Sequence, residues 1–122
     1  MSITSNVQLE NICKELNIPL NGIYVINELP KEFKKGAYIY NLNGQSHWVC
    51  SYNNEYFDSM GENAPIEVLK FAKIKKYNNK QIQDVYQNWC GIYCVCYLWF
   101  KTNGYTLKDF LDYFEQLNPF KY

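Results

Sequence analysis

The 122 residues make one domain of ordinary size with one core. With 48% hydrophobic and 18% aromatic residues the chain has ample apolar surface to bury, which excludes a disordered polypeptide. Twelve basic side chains against 12 acidic ones give no net charge, which argues against a broad attraction to nucleic acid or anionic membrane. No run of about 18 apolar residues occurs, and MSITSNVQLENICKELN lacks a basic segment leading into an apolar one. Neither a membrane span nor a secretory signal is expected, and the setting is read as cytosolic. There the five cysteines, Cys13, Cys50, Cys90, Cys94 and Cys96, are expected as thiols. Every basic residue is Lys and Asn occurs 15 times, a bias that suits an AT-rich coding sequence.

Ser5 and Gln8 have capping-box spacing, and Leu9, Ile12, Cys13 and Leu16 follow at helical intervals, so a short amphipathic helix is predicted over 6–16. Residues 17–35 carry Pro19, Gly22 and Pro30, which suits a loop with at most one short strand around 23–26. AYIYNL (37–42), HWVCSY (47–52) and EYFDS (55–59) are aromatic and β-branched, and Asn53-Asn54 tolerates a tight turn, so a three-stranded antiparallel meander is expected. Asn63 as cap and Pro65 in the first turn predict a helix to about 75, followed by a turn at Asn78-Asn79 and a short strand near 81–85. The five lysines between 70 and 80 read as a solvated surface. CGIYCVCYLWF (90–100) is apolar on every side, which predicts a buried central helix. Thr106 and Asp109 then cap a last helix whose Leu107, Phe110, Leu111, Phe114 and Leu117 form one packing stripe.

A lone histidine in a strand carries little weight, and His47 is the only one. The hairpin adds to it. With a two-residue loop at 53–54, facing residues sum to 107, so Asp58 lies opposite Val49 and diagonal to His47, roughly 7 to 8 Å apart at Cα. That distance suits either an ordinary cross-strand hydrogen bond or the base-and-orienter half of a catalytic triad. A nucleophile would complete it. Cys90 opens an apolar helix ahead of Gly91, where the helix dipole and free N–H groups acidify a thiol, whereas Cys94 and Cys96 lie inside the helix and read as core. A zinc set of Cys90, Cys94, Cys96 and His47 is the other option, but the C-x3-C-x-C spacing lacks a paired CxxC. Neither a metal nor an organic cofactor is called for. Acyl transfer also needs donors to the oxyanion, for which the loop QIQDVYQNWC offers the Cys90 N–H and an amide from Gln83 or Gln87.

These residues carry a resemblance. HWVCSYNNEYFDSMG followed by QDVYQNWCGIYCVCYL resembles the adenovirus-type maturation proteases, within the wider group that includes the SUMO-deconjugating enzymes. Members have a His-Trp pair on a strand and then an aromatic-rich strand ending in an acid, followed by Ser or Pro, a variable residue and Gly. His47, Trp48, Asp58, Ser59 and Gly61 match it. A Gln seven residues before a Cys-Gly pair is matched by Gln83, Cys90 and Gly91, so the resemblance favours Gln83 over Gln87. NGIYVINELP and KKGAYIYNLNGQSHW extend the likeness upstream, to about residues 18–100 in all.

The resemblance implies an α+β, papain-like or adenain-like cysteine protease, with an antiparallel sheet packed on a buried central helix that starts at the nucleophile. It implies Cys90 as nucleophile, His47 as base, Asp58 as orienter and Gln83 as oxyanion donor. Trp48, beside the base, and Trp89, beside the nucleophile, are the expected substrate-binding residues, Trp89 as a departure from the small or polar residue common there in relatives, its bulk narrowing the cleft or packing beneath it. Viral capsid or core precursor polypeptides, cut at glycine-containing sites, are the implied partners, in the virion and the host cytoplasm. The DNA and peptide activators of the adenoviral branch have no recognisable residues here and are not carried over. A ubiquitin-like-protein isopeptidase and a non-catalytic capsid-associated module of the same fold are the rival readings.

Overall fold

The computed structural model describes residues 5–42, 47–82 and 89–117. Four helices, α1 (Asn6–Glu15), α2 (Ile66–Phe71), α3 (Cys90–Thr102) and α4 (Leu107–Leu117), surround a sheet of five strands, in an α+β arrangement. The strands are β1 (Leu20–Val25), β2 (Ala37–Asn41), β3 (Trp48–Tyr52), β4 (Glu55–Phe57) and β5 (Lys76–Tyr77), in spatial order β1-β2-β3-β4-β5. The meander β2-β3-β4 is antiparallel as expected. The sheet as a whole is not. β1 pairs with β2 and β5 pairs with β4 in parallel, so the expected antiparallel sheet is corrected to a mixed one. The physical reason lies in the connections: 26–36 and 58–75 are long enough to carry the chain back across the sheet, the second by way of α2.

Alternation along the meander sorts side chains onto two faces. Ala37, Ile39, Trp48, Cys50 and Phe57 join Leu9 and Cys13 of α1, the inner residues of α3 and Phe110 of α4 in the larger core. Tyr38, Tyr40, Val49 and Tyr56 join Ile26 and Val68 in the smaller one, beneath α2. The sheet is therefore covered on both faces, with α3 lying mainly against β3. Both predicted caps form, the one at Thr106 and Asp109 as a full capping box and the one at Ser5 by its serine half. Gln8 N–H donates to Ser5 Oγ at 3.1 Å, Asp109 N–H donates to Thr106 Oγ1 at 3.1 Å and Thr106 N–H donates to Asp109 Oδ2 at 2.9 Å.

Other boundaries move. α2 is shorter than predicted, because Pro65 serves as its cap without a side-chain bond and Lys73 adopts φ +48, which ends the helical path. A strand not expected, β5, lies at Lys76–Tyr77; of the strand expected near 81–85, Gln81 and Ile82 are not extended in the sheet and 83–85 lie outside the described residues. β1 covers Leu20–Val25, earlier and longer than 23–26, and Ile26–Glu28 forms a 3-10 turn. α3 is not uniformly buried: Trp99 is exposed, and Ile92, Cys96 and Phe100 are half-buried. In the stripe of α4, Phe110 is buried and Leu107, Leu111 and Phe114 pack on the core. The side chain of Leu117 lies outside the described residues. Lys70, Lys73, Lys75 and Lys76 are exposed, as a solvated surface requires. No described helix is long and apolar enough to cross a membrane.

Candidate active site

The ladder between β3 and β4 pairs Cys50 with Phe57, Ser51 with Tyr56 and Tyr52 with Glu55, the register that sums to 107. Asn53, at φ +54, takes the left-handed turn conformation that an asparagine tolerates. His47 and Asp58 lie just beyond the ladder, at the same end of the sheet. His47 Nε2 and Asp58 Oδ1 are 2.7 Å apart. Asp58 is 1% exposed, and the same Oδ1 accepts the Met60 N–H at 2.9 Å.

One peptide group decides what reaches Cys90. The His47 C=O accepts the Leu42 N–H on the β2 side at 3.3 Å, so the N–H of that trans peptide, which belongs to Trp48, points the other way. β4 has already ended there. Cys90 Sγ takes the donor at 3.3 Å, at the first position of α3. Trp89, the cap of α3, makes no side-chain capping bond, and the sulfur sits at the positive end of the helix.

The imidazole bonds Asp58 through Nε2, which leaves Nδ1 for Cys90, and His47 and Cys90 shift each other's pKa. Burial disfavours the charge on His47, but the bonds to Asp58 and Cys90 and their negative charges outweigh it and raise its pKa from 6.5 to about 10. For Cys90 burial works against the thiolate, yet the His47 bond, the Trp48 N–H, the imidazolium charge and the Gly91 N–H together hold the thiol below its ordinary value of 9.0. The arrangement can therefore keep a thiolate beside an imidazolium. Burial pushes the other core thiols up, Cys13 to about 11, with Cys50 and Cys94 raised as well.

Of the residues singled out in the sequence, His47, Asp58, Trp48 and Cys90 meet at one end of the sheet. Trp48 is 5% exposed and its ring belongs to the larger core, while Trp89 is 45% exposed at the mouth of the helix. Gln83 and Gln87 lie outside the described residues. The zinc alternative of Cys90, Cys94, Cys96 and His47 is not assembled: among the described residues no group of three or more His, Cys, Asp or Glu side chains is placed to hold a metal ion.

Two features next to the acid were not legible in the sequence. Asn78, expected only as a turn residue, is buried, and its amide bonds the backbone of Asp58. Gly61, noted only as part of a motif, has φ +73, and a Cβ there would lie 2.8 Å from the Gln81 nitrogen and 2.9 Å from the Lys80 carbonyl carbon. An Asn beside another Asn carries no local signal that separates the two roles. Compared with known proteins, the chain matches no family model and no curated sequence.

Proposed function

We propose that this chain is a cysteine endopeptidase with an adenain-like variant of the papain-like fold. The observation that carries the reading is that one imidazole bonds a buried carboxylate while the N–H of the residue next to it donates to a thiol at the N-terminus of a helix. The Cys90 thiolate attacks a peptide carbonyl carbon, and the carbonyl electron pair moves onto oxygen as the C–S bond forms. His47 gives its proton to the amine nitrogen as the C–N bond breaks. Water then attacks the thioester carbonyl and passes a proton to His47, and the sulfur departs as thiolate. Asp58 holds the ring on its Nε2 side throughout. The Cys90 N–H and the Gln83 amide are assigned to the oxyanion, Gln83 on its spacing in the sequence.

Viral capsid or core precursors, cut at glycine-containing sites in the virion or the host cytoplasm, are the proposed substrates. Cys90 is only 3% exposed, and an extended residue without a side chain suits so buried a sulfur. The test is turnover of peptides with Gly-Gly and Gly-Ala junctions, beside a ubiquitin-like fusion with a diglycine tail. Cleavage of the peptides by the wild type and none by Cys90→Ala is expected. Cleavage of the fusion alone would replace the reading with an isopeptidase. No cleavage, together with a Cys90 that reacts with electrophiles no faster than a small thiol, would leave a binding module of the same fold.

A further inference from the structure

The strand ladder next to the acid ends in an unusual way. β4 and β5 pair in parallel only at Glu55 with Lys76 and Tyr56 with Tyr77, and Asn78 N–H then reaches Tyr56 C=O at 3.4 Å. The next ladder positions on β4 would be the N–H and C=O of Asp58. A side-chain amide takes both. Asn78 Oδ1 accepts the Asp58 N–H at 2.9 Å, and Asn78 Nδ2 donates to the Asp58 C=O at 2.6 Å and to the Lys80 C=O at 3.0 Å. Asn78 is 2% exposed, so water does not compete for these groups.

A side-chain amide has the donor and acceptor pattern of a peptide group, and this one replaces a strand residue beside the carboxylate. The partners also fix its orientation, since the oxygen meets one N–H and the nitrogen meets two carbonyls. No other side chain fits as well. Asp lacks both donors, Ser and Thr are too short to span the two groups, and Gln adds a methylene for which a buried site has no room.

We propose that Asn78 is a positioning residue for the acid of the site: by clamping both backbone groups of Asp58, it fixes where the carboxylate meets His47. This inference rests on the cysteine-endopeptidase reading. The chain of contact is continuous. The clamp sets the Cα–Cβ direction of Asp58, the Met60 N–H at 2.9 Å sets the rotation of the carboxylate, and Oδ1 is then held 2.7 Å from His47 Nε2. The clamp also reaches toward the nucleophile. Lys80 C=O is one of its partners, and Ile82 N–H donates to Ser59 C=O at 2.9 Å. The turn after β4 and residues 80–82 thus form one hydrogen-bonded unit. The groups that act on the imidazole charge are Asp58, after β4, and Cys90, at the head of α3. Loosening Asp58 therefore weakens the imidazolium and, through it, the thiolate.

The test compares wild type, Asn78→Ala, Asn78→Asp and Ser51→Ala. The last is a control that removes an equally buried hydrogen bond, Tyr40 with Ser51 at 2.6 Å, on the α2 side of the sheet. The measurements are the pH dependence of Cys90 alkylation by iodoacetamide, resolved by peptide mass spectrometry, the kinetics on a Gly-Gly peptide and the Tm. Both Asn78 variants should raise the alkylation midpoint by about one pH unit, a roughly tenfold loss of thiolate below the midpoint, and lower kcat about as much at nearly constant KM. Ser51→Ala should lower Tm while leaving midpoint and kcat in place. A folded Asn78→Asp with an unchanged midpoint overturns the inference even where Asn78→Ala fails to fold. A wild-type midpoint no lower than that of an ordinary thiol overturns the endopeptidase reading instead.

Discussion

The backbone N–H of Trp48 lies 3.3 Å from the sulfur of Cys90 and donates to it. The donor exists because β4 stops at Phe57, two residues short of Ser59, which in this register would have claimed that N–H. The thiolate is thus supported by a main-chain group as well as by the imidazole. Native-state alkylation should accordingly modify Cys90 first, and Cys50 and Cys94 only on unfolding, because burial raises their pKa values. Cys90→Ala should abolish turnover and Cys94→Ala should keep most of it. Peptide-level labelling with a slim reagent checks the order, and equal labelling of Cys94 in the folded state would contradict it.

Asp58→Asn should act through charge. An amide keeps an oxygen at the Oδ1 position because the Met60 N–H requires an acceptor, and that oxygen can still accept from His47 Nε2. The ring then keeps its tautomer but loses the carboxylate that helps raise its pKa. The pKa of His47, followed by NMR of the ring protons, should fall in Asp58→Asn and fall further in Asp58→Ala, with turnover dropping in the same order. An unchanged His47 titration in both variants would remove Asp58 from the site.

The pair also leaves a signature in stability against pH. His47 has a raised folded pKa, so its contribution is fully present below 6.5 and is lost as pH rises through about 10. Cys90 has a lowered one, so its contribution is present above 9.0 and is lost as pH falls through the folded value. Above both 6.5 and the folded value of Cys90, and below 9.0, the folded pair holds one proton as imidazolium and thiolate, and the unfolded pair holds one proton as neutral imidazole and thiol. The proton counts match there. A double-mutant cycle of His47→Ala and Cys90→Ala, by denaturant unfolding, should give a coupling energy that is flat across this window and declines on both sides. A coupling that declines on neither side of the window would mean the pair is neutral.

Much of this site was legible in the sequence because two-residue periodicity is a strong signal over short distances. The pair Asn53-Asn54 set the hairpin register, and the register alone put Asp58 diagonal to His47. The helix starting at Cys90 was visible in its unbroken apolar run. The rest depended on pairings between distant segments. β5 is two exposed residues, Lys76 and Tyr77, with no alternation to read, and it is held by Asn54 C=O, which accepts the Lys75 N–H at 2.8 Å, as well as by β4. Asn78 and Asn79 look alike in the sequence, and only the fold makes one of them buried. The start of α2 was misplaced because a proline cap offers no side-chain acceptor to mark it.

Gly61 and Gly104 separate close approach from backbone strain. Both have positive φ, +73 and +90, but a Cβ at Gly104 meets nothing within 4 Å, whereas at Gly61 it collides with the backbone of Lys80 and Gln81. Gly104→Ala should cost about 1 kcal/mol, the strain of the conformation alone. Gly61→Ala should cost roughly 2 to 4 kcal/mol, since backbone must shift as well, and it should displace the turn that carries Asp58. Urea unfolding measures both, and equal losses would mean that the approach is looser than described.

The sulfur and the amide that supports it are 42 positions apart, and the hairpin between them is local. During synthesis the hairpin strands emerge and can pair before Cys90 has left the ribosome, because contacts close in sequence form ahead of distant ones. The thiol becomes acidic only when α3 docks on β3, the last of these steps. A nascent or partly folded chain therefore carries an ordinary thiol, and the acidity of Cys90 is switched on by completion of the fold.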